Sequence, residues 1–423
     1  DLGLYLGCFV GKTVHMSETA NTASTTEAAR VTAALDAFLG DNDPKQMSYE
    51  DFRGAQFDHG LAWVYFDEGC GGLDVSPVLQ KQVEVRLREA GASPMKPAMF
   101  FMHLAGPTIH THGSAESKSR FLRPMFTGEE RWCQLFSEPG AGSDFAGLGT
   151  RAVRDGDSWI VNGQKVWNTL AHLGDRGMLV TRTDPEMPKH RGMTYFAVDM
   201  KSPGVDVQPL RQITGEAEFN EVFLTDVEIP EADRIGDIGD GWRVSLTTLM
   251  NERNAIGAGT GGGPPKAGSG PVSILTNMWR DTPEGLRSGV TRDRMMQLYV
   301  RSETQRLTNI RAGENRRKGN PGPEMSIAKL AFAELNQDLL TAAVDMMGMA
   351  GQVDCDYTFR RPEDLSVDGS VNGVQHGFLR VRANSIEGGT SEIMRNILGE
   401  QVLGLPGEPR VDKDIPWIEV PRG

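Results

Sequence analysis

Apolar positions along this chain follow one rhythm, then another, then the first again. Up to about residue 130 they fall in short helical stretches between loops. Glu27 to Leu39 is Ala-rich, "SPVLQKQVEVRLREAG" runs from Ser76 to Gly91, and Glu116 to Phe126 ends at "TGEE". Such side chains lose little rotamer freedom in a helix, so helices are expected there. The period then shortens. "RAVRDGDSWIVNGQKVW" has two β-prone stretches around Asp155-Gly156-Asp157, and Asn162-Gly163 reads as a turn that leaves Trp167 in the following extended run. "RGMLVTRT", "GMTYFAVDM", "GVDVQPL" and "NEVFLTDVEIP" continue the pattern. Strands this closely spaced leave no room for crossover helices, which predicts a compact antiparallel, barrel-like β domain over residues 131–236.

Helical spacing returns after Gly241. Trp242–Gly257 is one expected helix, broken by "GAGTGGGPPKAGSGP", a run that reads as a mobile loop. Arg292 to about Arg317 is a long second helix. Pro323 suits the first turn of the next, whose Ile327, Leu330, Leu335, Leu339, Ala343 and Met346 recur at near-helical spacing. A last helix follows Thr390, with Ile393, Met394, Ile397 and Leu398 on one stripe. The expected fold class is α+β: an N-terminal helical domain (1–130), the middle β domain (131–236) and a C-terminal four-helix bundle (237–423). One face of that bundle would remain for oligomerisation.

Composition narrows the function. The 423 residues carry a net charge of -13, which argues against a dedicated nucleic-acid protein, since phosphate binding needs concentrated positive charge. No apolar run reaches membrane-spanning length. Cys8, Cys70, Cys133 and Cys355 form neither a CxxC pair nor a disulfide framework, so reduced thiols in a cytoplasmic protein are expected. The chain opens at Asp1 rather than at a methionine, so some native N-terminus is expected to be missing; that end lacks the order of a secretory signal. The eight histidines form no HExxH, and His110 and His112 read as a satisfied or exposed pair, so no metal is expected.

Three segments carry candidate chemistry. "CQLFSEPGAGSDFAG", Cys133 to Gly147, puts Gly140, Gly142 and Gly147 among Ser137, Ser143 and Asp144, as either a tight loop or a close backbone approach to a ligand. It is neither a P-loop nor a GxGxxG. "NGQKVWNT", Asn162 to Thr169, offers Trp167 as a flat platform, or as a core residue, and Thr169 as a hydrogen-bonding group. "NSIEGGTSEIMRNILGE", Asn384 to Glu400, places a Gly-Gly-Thr turn before a helix, beside Glu387. Glu252, in "LMNERNAIG", is a second acid, on an otherwise apolar helix face.

In this order and spacing, "FSEPGAGSD", "NGQKVWNT" and "IEGGTSEIMRNILGE" resemble the acyl-CoA dehydrogenase family, over roughly residues 52–408. The resemblance implies FAD, with Phe136 and Ser137 at the isoalloxazine, Trp167 packed on it and Thr169 bonded to it. Thr390 and Glu392 would help bind the cofactor or close the site. Gly348 and Gly351 would receive part of a neighbouring subunit's FAD, and Ser143 and Arg253 would meet the acyl-CoA. Two lineages place the catalytic base differently. One has a glutamate where this chain has Gly388, one residue after Glu387; the other has it before an arginine on the first C-terminal helix, as in Glu252-Arg253. Glu252 is favoured, with Glu387 as the alternative. Asp345 stands where many relatives have glutamine, and a usual "RxxFG" element is missing.

The resemblance further implies α,β-dehydrogenation of an acyl-CoA to a 2-enoyl-CoA, with electrons passed to an electron-transfer flavoprotein. A homo-oligomer is expected, with a mixed tetramer as a variant. An acyl-CoA oxidase or flavin monooxygenase of the same fold, or a noncatalytic subunit of a paired dehydrogenase, are the competing readings.

Overall fold

A computed structural model describes residues 24–96, 99–258, 266–317, 324–353, 357–363, 373–407 and 409–421; for residues 253–258, 316–317 and 324–325 it describes the backbone alone. Residues 259–265 of the Gly/Pro-rich run and Pro323, together with Cys8 and Cys355, lie outside the described residues.

The N-terminal part is helical: α1 (Thr25–Asp41), α2 (Tyr49–Asp58), α3 (Gln80–Glu89), α4 (Met102–His112) and α5 (Ala115–Thr127). Ser24 and Glu27 close a reciprocal capping box on α1, so its start needs no tertiary help. Val31, Leu35 and Phe38 then pack on Phe52, Leu61 and Val83. α4 was not anticipated, because Pro107 interrupts its apolar pattern from within. Burial decides against local propensity here: Leu104, Ala105 and Ile109 are fully enclosed. His110 stacks on Phe66 with centroids 4.0 Å apart, and His112 meets the Thr247 hydroxyl at 2.8 Å. Both histidines are thus satisfied by protein partners.

The middle part is one sheet of eight strands: β1 (Trp132–Leu135), β2 (Arg151–Asp155), β3 (Ser158–Lys165), β4 (Arg176–Arg182), β5 (Met193–Asp199), β6 (Val205–Pro209), β7 (Asn220–Pro230) and β8 (Arg234–Ile235). Its order is β6-β7-β3-β2-β4-β5-β8, with β1 added beside β4. The end strands β6 and β8 do not pair, so the sheet is open rather than barrel-like. Pairing is antiparallel except that β1 and β2 each run parallel to β4. Gly156, at φ 59, makes the β2–β3 turn. Asn162-Gly163 is not a turn: β3 runs through it with a register shift against β7. Glycine is needed there because a Cβ would lie 2.4 Å from the Thr150 hydroxyl oxygen, so the residue marks a bulge in a crowded strand.

The C-terminal part comprises α6 (Gly241–Ala258), α7 (Val272–Asp281), α8 (Gly289–Arg317), α9 (Glu324–Met347), α10 (Val374–Arg380) and α11 (Ser391–Ile397). α9 is the central rail: α6, α7, α8, α10 and α11 all pack on it. Leu335, Leu339 and Ala343 meet Val272, Leu275, Met295 and Leu298 in one core. α7 and α10 are short and carry no clear sequence signal, each lying next to Gly-rich sequence. Cys133 is buried in β1, and burial pushes its thiol up to about 12, which makes it chemically inert. Among the described residues, no helix is long and apolar enough to cross a membrane.

One buried node ties the three parts together. The Thr248 hydroxyl on α6 lies 2.9 Å from that of Thr108 on α4 and 3.2 Å from the Tyr195 hydroxyl on β5. Thr248 is one turn before Glu252, so the node sets the angle at which α6 approaches the sheet. Thr248→Val keeps the volume but strands the Tyr195 hydroxyl. It is expected to lower the unfolding free energy by about 1–3 kcal/mol, measured as a denaturant midpoint shift at fixed cofactor concentration.

Candidate active site

The loop that leaves β1 carries the first predicted segment, and β3 carries the second. A buried ion pair joins them: the Lys165 ammonium donates to the Phe136 carbonyl at 3.0 Å and to Glu138 Oε1 at 2.8 Å. Glu138 also accepts the main-chain N–H groups of Gly149 and Thr150, at 2.7 and 2.9 Å. Burial pulls Lys165 below the ordinary lysine range against the attraction of Glu138. Burial also works to raise Glu138, but Lys165 and the N–H donors outweigh it and hold the carboxyl below the usual range. Both ends of the Gly-rich loop are therefore tied to one carboxylate.

Phe136 presents its backbone, since its ring is buried between Phe145, stacked at 5.0 Å, and the edge-on Tyr195. Ser137 is half-buried and its carbonyl accepts the Val166 N–H at 2.9 Å. Asn168 is anchored on the far side, through Gln134 O at 2.9 Å and a reciprocal main-chain pair with Asn220. Trp167 sits between these fixed neighbours, after β3 rather than in an extended run. It adopts φ 61 and leaves 59% of its side chain exposed. A bulky residue held at positive φ, with an aromatic face turned outward, is strained and unfavourably solvated. The Phe219 ring lies edge-to-face with it, centroids 5.9 Å apart. An exposed indole beside the half-buried Thr169 and Ser137 is the kind of surface a flat cofactor would cover, so these residues fit a flavin.

The candidate acids stand on different elements. Glu252 is half-buried on α6, and Gln134 donates to its Oε2 at 3.3 Å. It therefore stands beside the strand that leads into Phe136 and Ser137. Glu387 is held differently. Arg380 grips both its oxygens, at 3.2 and 3.1 Å, and Asn384 adds a bond at 2.7 Å. Arg380 is itself enclosed, and pairs with the equally buried Glu218 at 2.9 Å. Thr390 is the N-cap of α11, accepting the Ile393 N–H at 3.1 Å, and Glu392 is exposed, near Arg395. The Arg253 side chain lies outside what is described.

Other predicted positions are spread more widely. Ser143 is exposed on the Gly-rich loop. Gly348 has φ 58, and a Cβ at Gly351 would strike the Val344 carbonyl at 2.4 Å, so both glycines are already required by their own chain. Asp345 pairs with Arg294 of α8 at 2.6 Å. Sequence reasoning missed Lys165, Glu138, Arg380 and Lys329. It also missed the C-terminal strap: Trp417 donates to the Gly147 carbonyl at 3.2 Å and covers the buried Arg182, while Lys189 bridges Asp144 and Asp412. The partners of these groups are distant in sequence, and isolated charged residues gave no signal.

Sequence models of the acyl-CoA dehydrogenase N-terminal, middle and C-terminal domains match residues 16–129, 133–227 and 239–403 in turn. Acyl-CoA dehydrogenase FadE34 of Mycobacterium tuberculosis is 38% identical over 79% of this chain, and the chain spans 43% of its length. Acyl-CoA dehydrogenase IpdE1 of the same organism is 35% identical over 83% of this chain and 86% of its own. The fold also matches a solved steroid ACAD, Tcur3481-Tcur3483, with a TM-score of 0.67 at 23% identity over 91% of this chain and 99% of that one.

Removing one partner of the buried pair tests its role. Lys165→Met is expected to cost about 3–5 kcal/mol, because it leaves Glu138 buried without its cation, and a Lys165→Met/Glu138→Gln double variant to recover part of that loss. The pH dependence carries a sign. Glu138 has a lowered folded-state pKa, so its contribution is complete above the ordinary carboxylate range and fades as pH falls through the lower value. Acid unfolding curves should therefore be steeper for the parent than for the double variant.

Proposed function

The chain belongs to the acyl-CoA dehydrogenase family, and from that premise we propose that it binds FAD and converts an acyl-CoA thioester to the 2-enoyl-CoA with Glu252 as the base. The observation that carries the choice of base is the occupation of Glu387: a carboxylate whose oxygens are gripped by Arg380 and Asn384 is poorly placed for taking a proton from a substrate. Glu252 instead accepts a long bond from a neutral amide and borders the strand leading to Ser137.

Trp167, Ser137, Thr169 and the Phe136 backbone would hold the cofactor's ring system, with Gly348, Gly351, Thr390 and Glu392 as further candidate contacts. FAD would supply the two-electron acceptor for the hydride that leaves the β carbon. The thioester carbonyl acidifies the α C–H, and Glu252 takes that proton onto its carboxylate. Positioned N–H or O–H donors aimed at the carbonyl oxygen would stabilise the charge that develops there. Half-burial of Glu252 limits competition from water. Ser143 on the exposed loop and Arg253 on α6 are the proposed contacts to acyl-CoA. An electron-transfer flavoprotein is the proposed acceptor of the electrons. The exposed apolar side chains of Val290, Val300 and Leu307 along α8 support a homo-oligomer, with a mixed tetramer as the variant.

Anaerobic single-turnover reduction with an acyl-CoA that reduces the parent separates the two acids. Glu252→Gln keeps shape and hydrogen bonding but accepts no proton, so reduction should slow by about 10²–10⁴-fold with FAD retained. Glu387→Gln should keep a rate much nearer the parent's; the reverse pattern would make Glu387 the base.

Trp167→Ala keeps a Cβ at the same positive φ but should remove the platform. Weaker FAD retention and an altered flavin absorption spectrum are expected, and an unchanged affinity and spectrum would remove Trp167 from the cofactor site.

A further inference from the structure

The match to the family's C-terminal domain ends at residue 403, and residues 409–421 run on from it as a strap across the middle domain. The Trp417 and Ile418 main-chain N–H groups donate to the Met187 and Pro185 carbonyls at 2.9 and 3.0 Å. Pro416 forms an antiparallel β-bridge with Pro188, so the strap is laid along the loop between β4 and β5. From there it reaches the Gly-rich loop at two points. The Trp417 indole N–H donates to the Gly147 carbonyl at 3.2 Å. Asp412 shares the buried Lys189 with Asp144, which accepts from that ammonium at 2.9 Å. Asp144 and Gly147 are the two ends of one turn, closed by the Gly147 N–H on the Asp144 carbonyl at 2.9 Å. Both ends are therefore fastened to the strap.

Other contacts hold the loop elsewhere. Glu138 fixes Gly149 and Thr150, exchanges main-chain bonds with Ala141, and the buried Arg182 donates to the Ala146 carbonyl at 2.6 Å. The stretch between them, with Gly142 and Ser143, is exposed, and a Cβ on Gly142 would meet open space. The strap does not add to a core, since its apolar Val411 and Ile418 side chains face solvent. Its inward groups are the ones that meet the loop. The Trp417 ring also covers Arg182, whose guanidinium carbon lies 4.9 Å from the ring centre, but that contact needs only an aromatic face. The directed bond to Gly147 is what ties the ring to the loop that carries Ser143.

We infer that Trp417 is a positioning residue for acyl-CoA binding, an inference that rests on the proposed contact of Ser143 with acyl-CoA: together with Asp412 and Lys189, it holds the Asp144–Gly147 turn so that Ser143 is presented in one place before the substrate arrives. Trp417 does not touch the reacting atoms. It removes ordering that binding would otherwise require, so its loss acts on affinity rather than on the chemical step.

The test joins two measurements on FAD-loaded enzyme. Hydrogen exchange across residues 139–148, without acyl-CoA, reads the loop directly. Anaerobic flavin reduction over a range of concentrations of an acyl-CoA that reduces the parent reads half-saturation and limiting rate separately. In Trp417→Ala, exchange should quicken and half-saturation should rise by about tenfold, the equivalent of one more residue's backbone to order on binding. The limiting rate should stay within about twofold of the parent's. Trp417→Phe keeps a ring over Arg182 and loses the bond to Gly147, so its half-saturation should rise by roughly threefold. Should Trp417→Ala fail to load FAD, the Phe variant decides: a raised half-saturation supports the inference and an unchanged one overturns it. Unchanged exchange in Trp417→Ala, or a fallen limiting rate at the parent's half-saturation, also overturns it. Ser143→Ala is run alongside. Quickened exchange in Trp417→Ala with half-saturation unchanged in both variants would mean that acyl-CoA does not use this loop, and the inference falls with that assignment. If Ser143→Ala raises half-saturation while Trp417→Ala keeps the parent's, only the inference about Trp417 falls.

Discussion

The bond between Lys165 and Glu138 is the contact on which the rest of the site depends. Glu138 follows β1 and Lys165 ends β3, so neither segment is held near the other by local sequence. Once paired, Lys165 fixes the Phe136 carbonyl and Glu138 fixes the N–H groups of Gly149 and Thr150. The loop between them then has few ways to lie, and its exposed Gly140 and Gly142 are presented outward with open space around them. The pair also ends β3 at a fixed point, so the next residues must turn. Val166 is bound to Ser137, Asn168 to Asn220, and the strain is left at Trp167. A buried ion pair of this kind adds little net stability compared with apolar packing, so its value lies in specifying one geometry. That geometry is what brings Ser137, Trp167 and Thr169 to one edge of the sheet.

The three-part organisation was legible because it is written in hydrophobic period, which burial enforces along whole elements. α1, α5 and α6 differ from their expected limits by only one or two residues at each end. Short elements failed for local reasons. Pro107 hid α4, and α7 and α10 lie beside Gly-rich sequence whose flexibility masks their few apolar positions. Asn162-Gly163 has turn chemistry, yet the crowding of Thr150 explains its glycine by a bulge instead. Motif segments could be located, but not their wiring. Lys165 and Lys329 are single charged residues in otherwise ordinary stretches, and their significance is set by carbonyls and carboxylates that the sequence places elsewhere. The same holds for the strap, where Trp417 reaches Gly147 across 270 residues of chain.

The charges around the C-terminal turn divide into two groups by how they are neutralised. Glu387 and Glu218 share Arg380, and all three are largely withdrawn from solvent. Such a cluster is costly to disturb, since removing one member leaves another buried without its partner. Glu252 belongs to a different helix, α6, one turn after the Thr248 node. The fold therefore keeps one carboxylate for structure and leaves the other near the sheet edge, a separation of duties that spacing in sequence does not express.

The backbone of the turn explains why glycine, rather than glutamate, stands at 388. Gly388 has φ 62 and Gly389 has φ 93, both in the left-handed region. A glutamate at 388, where one lineage of the family carries its base, would have to adopt that conformation, at a cost of roughly 1–2 kcal/mol for an ordinary residue. At 389 the obstacle is steric as well, because a Cβ would approach the Met394 methyl carbon to 2.7 Å. Two glycines shape the turn so that its carbonyls point to Lys329 and Thr390 can cap α11. A turn built this way suits glycine at 388 and sends the nearest carboxylate, Glu387, back toward Arg380. The proposed base lies on another element, α6, the helix that packs against α9 and reaches β1 through Gln134.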